Sequence, residues 1–233
     1  MLNYVEYGKE NKYDDDIFFQ KYSQMSRSQQ GLAGAGEWET LRKLLPDFKD
    51  KRVLDLGCGY GWHCIYAMEH GASSVVGVDI SHKMLEVAKE KTHFPQVEYK
   101  CCAIEDVEFP EESFDVILSS LAFHYVADYE ILVKKIYRIL KSGGNLVFTV
   151  EHPVFTAYGT QDWYYNEKGE ILHFPVDNYY YEGKRTAVFL GEKVTKFHRT
   201  LTTYLNTLLS NGFIINHIVE PVSYTHLRAH ETE

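Results

Sequence analysis

At 233 residues, the chain is long enough for one α/β domain with a well-buried core, and nothing suggests a second independent domain. Its net charge of −9 argues against a nucleic-acid partner, whose binding needs a basic patch. No apolar run reaches membrane-spanning length, and no signal peptide precedes Tyr13. The four cysteines lack metal-ligand spacing, so we expect reduced thiols, no metal site and a cytoplasmic protein.

The predicted elements begin with a short helix and a strip of spaced glycines at residues 17–36. A helix follows at residues 37–45 and ends at Pro46. Strands are then expected near residues 52–56, 75–79, 97–101, 114–119 and 145–150, and helices near residues 62–70, 81–92 and 128–140. Gly143 and Gly144 should cap the last of these helices. This alternation predicts a mostly parallel sheet with helices on both faces, whose ligands bind beyond the carboxyl ends of the strands.

An insertion rich in aromatic residues interrupts the alternation at residues 151–199. Its turn signals predict β-hairpins after the fifth strand, placed over the edge of the sheet where a substrate would bind. A decorative extension or a dimer surface is the alternative. A helix at residues 200–211 and a sixth strand at residues 213–220 complete a single predicted domain, residues 1–222. Residues 223–233 show neither strand alternation nor a helical stripe, and we expect a non-native tail there.

The run Val-Leu-Asp-Leu-Gly-Cys-Gly-Tyr-Gly at residues 53–61 joins a strand to a helix through three alternating glycines. Glycine permits a positive φ and leaves room for a ligand, and the helix behind it offers free N–H groups. The next strand ends in Asp79, whose carboxylate can accept hydrogen bonds from the ribose hydroxyls of an adenosine. The pattern therefore indicates a cofactor that contains adenosine.

The residues inside this motif help to choose between two such cofactors. A dinucleotide-binding motif would place its third glycine at position 62, which is Trp62. The Asp55 carboxylate would repel a pyrophosphate, but it suits an ammonium group. Because S-adenosylmethionine carries an ammonium and a sulfonium and no phosphate, the residues favour it over NAD.

Four further motifs follow the glycine loop in order: Val-Asp-Ile-Ser-x-x-Met (78–84), Ala-Ile-Glu-Asp (103–106), Phe-Asp-Val-Ile-Leu-Ser-Ser-Leu (114–121) and Leu-Lys-Ser-Gly-Gly (140–144). With them, residues 13–221 resemble the class I S-adenosylmethionine-dependent methyltransferases, in the small-molecule branch called methyltransferase type 11. The resemblance implies a Rossmann-like, doubly wound fold. It also implies methyl transfer to a small-molecule acceptor, with S-adenosylhomocysteine as the product. The family's seventh strand, between the fifth and sixth, has no counterpart in the predicted elements.

The resemblance also implies roles for individual residues. The glycine loop faces the methionine part of the cofactor, Asp79 takes the ribose hydroxyls, and residues 17–36 form a flap over the cofactor. The alternative role for Asp79 is helix capping. For Arg27 it is an exposed surface arginine, and for Glu105 and Asp106 it is a solvated turn. The full set of implied cofactor-binding residues is Asp55, Gly57, Cys58, Gly59, Gly61, Asp79, Ile80, Met84, Ile104, Glu105, Asp106, Ser119, Leu121, Tyr22 and Arg27.

His124 and His152 are the candidate catalytic residues, because each follows the carboxyl end of a core strand and imidazole titrates near neutral pH. A base is needed only if the acceptor arrives protonated, and a packing histidine is the alternative for both. Glu151, Tyr125 and Arg199 are weaker candidates.

Two other functions remain open from the sequence: an NAD(P)-linked oxidoreductase and a non-catalytic S-adenosylmethionine-binding module. We expect a monomer or weak homodimer that binds a small-molecule acceptor, with no nucleic-acid and no membrane partner.

Overall fold

A five-stranded parallel sheet forms the centre of the computed structural model, which describes residue 9, residues 11–158 and residues 161–221. Its strands are β1 (Arg52–Leu56), β2 (Ser74–Asp79), β3 (Val97–Cys101), β4 (Phe114–Ser120) and β5 (Leu140–Thr149). Two antiparallel hairpins stand apart from it: β6 (Tyr164–Tyr165) with β7 (Ile171–His173), and β8 (Gly183–Phe189) with β9 (Glu192–His198). The α-helices are α1 (Asp16–Ser23), α2 (Ser26–Gln29), α3 (Trp38–Leu41), α4 (Trp62–Glu69), α5 (His82–Lys91), α6 (Tyr129–Ile139), α7 (Pro153–Ala157) and α8 (Leu201–Ser210).

The strand order of the central sheet is β3-β2-β1-β4-β5, and all its neighbouring strands run parallel. The sheet grows from β1 in one direction through β2 and β3 and in the other through β4 and β5. All five carboxyl ends therefore lie along one edge, and the winding reverses between β1 and β4. Open α/β sheets bind their ligands at such a reversal. The predicted doubly wound α/β fold with hairpins after the fifth strand is confirmed.

The sheet has an apolar cluster on each face, because successive side chains of a strand point to opposite sides. Leu54 and Leu56 of β1 pack with buried residues of α6 and α8. Val53 packs on the other face with residues of α4 and α5. Leu132 and Ile136 of α6 are buried together because residues four positions apart share one side of a helix. The two clusters fix the glycine loop and the strand ends in place.

The second hairpin of the insertion packs against the N-terminal helix. Phe18 of α1 is fully buried and forms a small apolar cluster with Ala187 of β8 and Val194 of β9. Its ring also meets that of Phe189 edge to face, with the centroids 5.7 Å apart. The N-terminal segment and the insertion, predicted separately as coverings of the site, are therefore in contact with each other.

The predicted sixth strand at residues 213–220 is wrong. The structure has no strand pairing there, and Ile214 is 86% exposed. Alternating apolar residues favour an extended backbone, but a strand also needs a neighbouring strand whose N–H and C=O groups it can pair with.

The ends of two predicted helices also differ from those in the structure. The chain passes from α6 into β5 without a loop, so Gly143 and Gly144 lie inside β5 instead of capping the helix. They belong to a bulge in the pairing with β4, and Gly143 takes a positive φ of 73° there. The helix predicted at residues 37–45 is shorter, because α3 ends at Leu41 and turns follow it.

No helix in the described part of the chain is both long and apolar enough to span a bilayer. Cys58, Cys64, Cys101 and Cys102 are all free thiols. The described residues bring together no group of three or more His, Cys, Asp or Glu side chains that could hold a metal ion. The tail predicted at residues 223–233 lies outside the described residues.

Candidate functional site

The loop between β1 and α4 holds its three glycines in the left-handed conformation, with φ of 78° at Gly57, 52° at Gly59 and 74° at Gly61. The N–H groups of Gly57 and Cys58 both donate to the carbonyl oxygen of Val78, at 2.8 and 2.9 Å. These two bonds tie the loop to the carboxyl end of β2. The alternation of glycines in the sequence is thus explained by backbone geometry that side chains with a Cβ rarely adopt.

The three glycines differ in what surrounds them. A Cβ at Gly57 would lie 2.5 Å from the Cβ of Ala122, and one at Gly61 would lie 2.2 Å from the hydroxyl of Tyr99. A Cβ at Gly59 would meet no atom within 4 Å. Gly57 and Gly61 are therefore required by packing, whereas Gly59 keeps an open space free for a ligand.

Asp79, at the end of β2, organises the wall beside this space. Its carboxylate accepts hydrogen bonds from the N–H of Gly59 at 2.8 Å and from the N–H of Ser81 at 2.9 Å. Burial raises the pKa of Asp79, while these hydrogen bonds act in the opposite direction. The N-cap of α5 is Ser81, whose hydroxyl accepts from the N–H of Met84. The helix-capping alternative for Asp79 is therefore not what the structure has.

A cavity of about 310 Å³ opens in front of Gly59 and Asp79. This volume lies at the lower end of the range for small-molecule sites. Most of the predicted cofactor-binding residues line it, together with His124: Tyr22, Arg27, Gly57, Cys58, Gly59, Asp79, Ile80, Met84, Ile104, Glu105 and Leu121. These residues come from five separate segments of the chain and converge on one cavity. Their binding roles remain predictions.

Four of the predicted cofactor-binding residues lie outside this cavity. Gly61 supports the start of α4, and Ser119 donates from its hydroxyl to the carbonyl of Leu56 at 2.7 Å. Asp106 forms an ion pair with Lys9 at the surface. Asp55 is 1% exposed beneath the loop. Its Oδ2 lies 3.5 Å from the Cys64 sulfur, its Oδ1 has no partner, and burial raises its pKa to about 7.

The structure places the two predicted catalytic histidines in different environments. His124 is buried and lines the cavity. His152 does not line it; its Nδ1 accepts from the N–H of Val154 as the N-cap of α7, and its Nε2 meets the carboxylate of Glu220. His152 is therefore placed as a helix cap, away from the acceptor site proposed for it.

His124 is placed in the cavity, but its environment disfavours a base. Burial lowers its pKa to about 4, so the imidazole is neutral near pH 7. Its Nδ1 accepts from the N–H of Glu151 at 3.4 Å. A neutral imidazole that accepts at Nδ1 carries its proton on Nε2. In this tautomer the Nε2 of His124 is a hydrogen-bond donor, and a base role would need the other tautomer.

The lowered pKa of His124 predicts how the free energy of unfolding changes with pH. Because the folded pKa of His124 is about 4 and the unfolded value is about 6.5, the unfolded state binds more protons as the pH falls between these values. We expect the wild type to lose about 2 kcal/mol of unfolding free energy from this one site between pH 7 and pH 5. His124→Gln should remove that part of the loss. Urea unfolding at both pH values measures it, and an unchanged pH dependence in the variant would contradict the assigned pKa.

A second prediction concerns Gly59. Gly59→Val should abolish binding of S-adenosylhomocysteine, because the added side chain fills the space that no protein atom occupies. Gly169→Val is the matched control: Gly169 also has a positive φ, 81°, and also meets no atom within 4 Å, but it lies in the turn between β6 and β7. The control carries the same backbone strain without filling the cavity. Calorimetry that found equal affinities for the two variants would remove Gly59 from the site.

Several residues of the cavity were not singled out in the sequence or were ranked low. Tyr13, Tyr125 and Phe189 line it, and Glu151 lines it where β5 ends. Lys196 of β9 is 2% exposed and forms an ion pair with Glu151. The sequence signal for Glu151 was its position after a core strand, but nothing marked Lys196, since a lysine in a hairpin usually faces solvent. Arg199, the remaining weak candidate, is buried and donates to backbone carbonyls, so it does not reach the cavity.

The cavity fits S-adenosylmethionine better than a dinucleotide. Gly59 leaves room at the loop, and Ile80, Met84 and Ile104 offer apolar walls suited to an adenine ring. The buried Asp55 carboxyl beneath the loop has an unpaired Oδ1, and its charged form would repel a pyrophosphate. When bound, this cofactor supplies an electrophilic methyl group.

Comparison with known proteins gives the same result. Residues 54–148 match the model of a methyltransferase domain family. A crystal structure of a proposed S-adenosylmethionine-dependent methyltransferase from Listeria monocytogenes is 56% identical, with a TM-score of 0.79 over 83% of this chain and 91% of that one. A crystal structure of an S-adenosylmethionine-dependent methyltransferase from Mesorhizobium loti is 40% identical, with a TM-score of 0.77 over 85% and 91% of the two chains.

A curated relative extends the comparison to a protein with a stated acceptor pathway. The ubiquinone biosynthesis O-methyltransferase of Coxiella burnetii is 35% identical over 112 residues, which is 47% of each chain. The similarity to the two crystal structures, by contrast, covers more than four fifths of this chain and 91% of each of theirs. On the cavity, the motifs and these similarities, the chain belongs to the S-adenosylmethionine-dependent methyltransferases, and S-adenosylmethionine is its cofactor.

Proposed function

We propose that the enzyme transfers the methyl group to a small-molecule acceptor, bound in the same cavity against the wall formed by Tyr13, His124, Tyr125, Glu151 and Phe189. The observation that carries this proposal is the size of that cavity. At about 310 Å³, it suits small molecules and has no room for a folded macromolecule.

Methyl transfer requires little covalent chemistry from the protein. The residues must align the nucleophilic atom of the acceptor with the methyl group and exclude water. The aromatic side chains of Tyr13, Tyr125 and Phe189 support such a role, because they form a rigid, largely apolar wall. His124 can donate a hydrogen bond from Nε2 to an acceptor oxygen. We propose that residues 17–36 and residues 151–199 together cover the site.

Arg27 supports a more specific part of the proposal. Its guanidinium lines the cavity and forms an ion pair with Glu37 at 2.7 Å, and it retains other N–H groups that can donate to the methionine carboxylate. We further propose a monomer or weak homodimer without a nucleic-acid partner. The four free thiols support a reducing compartment such as the cytoplasm.

The experiment is an acceptor screen that measures release of S-adenosylhomocysteine by the full chain. Hydroxyl acceptors belong in the panel because the Coxiella burnetii relative is named as an O-methyltransferase, and amines and thiols complete it. We expect product that depends on both the acceptor and an intact cavity, with Gly59→Val as the inactive control. Tight cofactor binding without product from any member would contradict a small-molecule acceptor.

A further inference from the structure

The carboxylate of Glu151 is held in a closed ring of hydrogen bonds at the acceptor end of the cavity. The ammonium of Lys196 pairs with Oε1 of Glu151 and donates to the Oε1 of Gln161 at 3.0 Å. The Nε2 of Gln161 donates to Oε2 of Glu151 at 2.8 Å. Glu151, Gln161 and Lys196, here called the Glu151 cluster, come from the end of β5, the loop before β6, and β9. The cluster therefore fixes both the orientation of the carboxylate and the position of the insertion.

Only the Glu151 side of this cluster faces the cavity. Glu151 lines the cavity and its side chain is 28% exposed, whereas Lys196 is 2% exposed behind it and does not line the cavity. Burial alone would raise the pKa of Glu151, but the neighbouring His124, the Lys196 ammonium and the hydrogen bonds from Lys196 and Gln161 hold it below its usual range. Each carboxylate oxygen can accept more than one hydrogen bond. A ligand in the cavity therefore meets an ionised acceptor group that is already oriented.

The positive charges around the cavity are already paired. Among the described residues that line it, the cations are Lys9 and Arg27. Lys9 is paired with Asp106, and Arg27 with Glu37. His124 is neutral near pH 7, because burial lowers its pKa to about 4. The cavity lining also carries the carboxylates of Asp79, Glu105 and Glu151. With the remaining N–H groups of Arg27 assigned to the methionine carboxylate, an anionic group on the acceptor would gain no further cation and would lie near like charges.

From this geometry, and resting on the proposed function, we infer the chemical class of the acceptor. Glu151 binds the N–H or O–H donor group of the methyl acceptor, and the site selects acceptors that are neutral or cationic and carry no phosphate or carboxylate. Lys196 is a positioning residue, which acts by holding Glu151. The net charge of −9 acts in the same direction, because a negatively charged protein attracts cationic ligands and repels anionic ones.

The first test uses acceptors in pairs that differ by one anionic group: catechol with 3,4-dihydroxybenzoate, tyramine with tyrosine, and ethanolamine with phosphoethanolamine. With saturating S-adenosylmethionine, we expect kcat/KM at least tenfold higher for the member without the added anionic group in every pair that turns over. Equal or higher kcat/KM for the anionic members would overturn the inference while leaving the proposed function intact. No product from any small molecule would overturn the proposed function itself.

The second test separates a role of Glu151 in acceptor binding from a role in folding. Glu151→Gln keeps the shape and removes the charge, and we expect at least a tenfold loss of kcat/KM, with binding of S-adenosylhomocysteine within twofold of wild type. The matched control is Glu192→Gln, a carboxylate of β9, the strand that carries Lys196; it lies 3.8 Å from Lys12 and does not line the cavity. The control should keep full activity.

Glu151→Gln leaves the buried Lys196 ammonium without its counter-ion, and Lys196→Met removes the cation that faces Glu151. Because either single change can unfold the protein, the double variant Glu151→Gln with Lys196→Met decides the question. It contains no charge at this position. We expect it to fold and to bind S-adenosylhomocysteine as wild type does, but to transfer methyl groups as slowly as Glu151→Gln. Wild-type transfer by the double variant would show that the pair is structural only and would overturn the inference.

Discussion

Asp79→Ala is expected to weaken binding of S-adenosylhomocysteine by roughly 10- to 100-fold, since a hydrogen bond to a charged group contributes about 1.5–3 kcal/mol. Asp79 accepts from the N–H groups of Gly59 and Ser81, so it both orders the glycine loop and presents its carboxylate to the cavity. Alanine removes both contributions at once. Isothermal titration calorimetry measures the affinity, and circular dichroism shows whether the fold is kept.

Two controls sharpen this result. Asp79→Asn keeps a carbonyl oxygen for one backbone N–H and loses the charge, so we expect an affinity between those of the wild type and the alanine variant. Asp106→Ala removes a neighbouring acid whose side chain is 58% exposed and lies outside the cavity, and its affinity should match wild type. A folded Asp79→Ala protein with wild-type affinity would refute the ribose-binding role.

Arg199→Met is expected to destabilise the fold strongly, although Arg199 lies away from the cavity. Arg199 is 6% exposed and follows β9 directly. Its guanidinium donates to the carbonyl oxygens of Ala127, at 3.0 Å, and of Val126, and it lies over the rings of Tyr129 and Tyr204 at 5.4 and 5.9 Å. It therefore joins the insertion to the loop after β4 and to α6.

Methionine fills a similar volume but leaves those carbonyl oxygens without a donor. Each buried, unpaired group costs about 1–3 kcal/mol, so we expect a loss of about 3 kcal/mol and a fall in Tm of roughly 6–12 °C. Arg42→Met, which removes an exposed arginine paired only with Glu39, should change Tm by less than about 2 °C. Thermal unfolding followed by circular dichroism compares the two. Equal shifts would mean that the bonds of Arg199 add nothing beyond a surface ion pair.

The central sheet was predictable because its signals are local. β1 is a short apolar run with Asp55 as its last residue but one, β2 is a second such run that ends in Asp79, and the three glycines between β1 and α4 permit the left-handed backbone found there. Such features depend on a few neighbouring residues and on steric rules. The same holds for α6, whose buried side follows from its 3.6-residue period.

The acceptor side of the site was less predictable because its residues meet only in the folded chain. His124 and His152 look alike in sequence, since both follow a core strand, but one is buried in the cavity and the other caps α7. Lys196 lies on a hairpin, where a lysine would normally face water. Its burial comes from Glu151, 45 residues earlier, which compensates its charge. The strand predicted at residues 213–220 was wrong for a similar reason, because strand formation depends on a partner strand that is distant in sequence.

Alkylation of the buried Cys58 thiol can report opening of the glycine loop. Cys58 is 6% exposed and burial raises its pKa well above the usual value, whereas Cys101 is exposed. Alkylation requires an accessible thiolate, so we expect Cys58 to react when the loop opens, while Cys101 reacts without such opening. The ratio of the two rates therefore measures the free energy of local opening. S-adenosylmethionine should slow only the Cys58 reaction, by a factor set by its concentration relative to Kd.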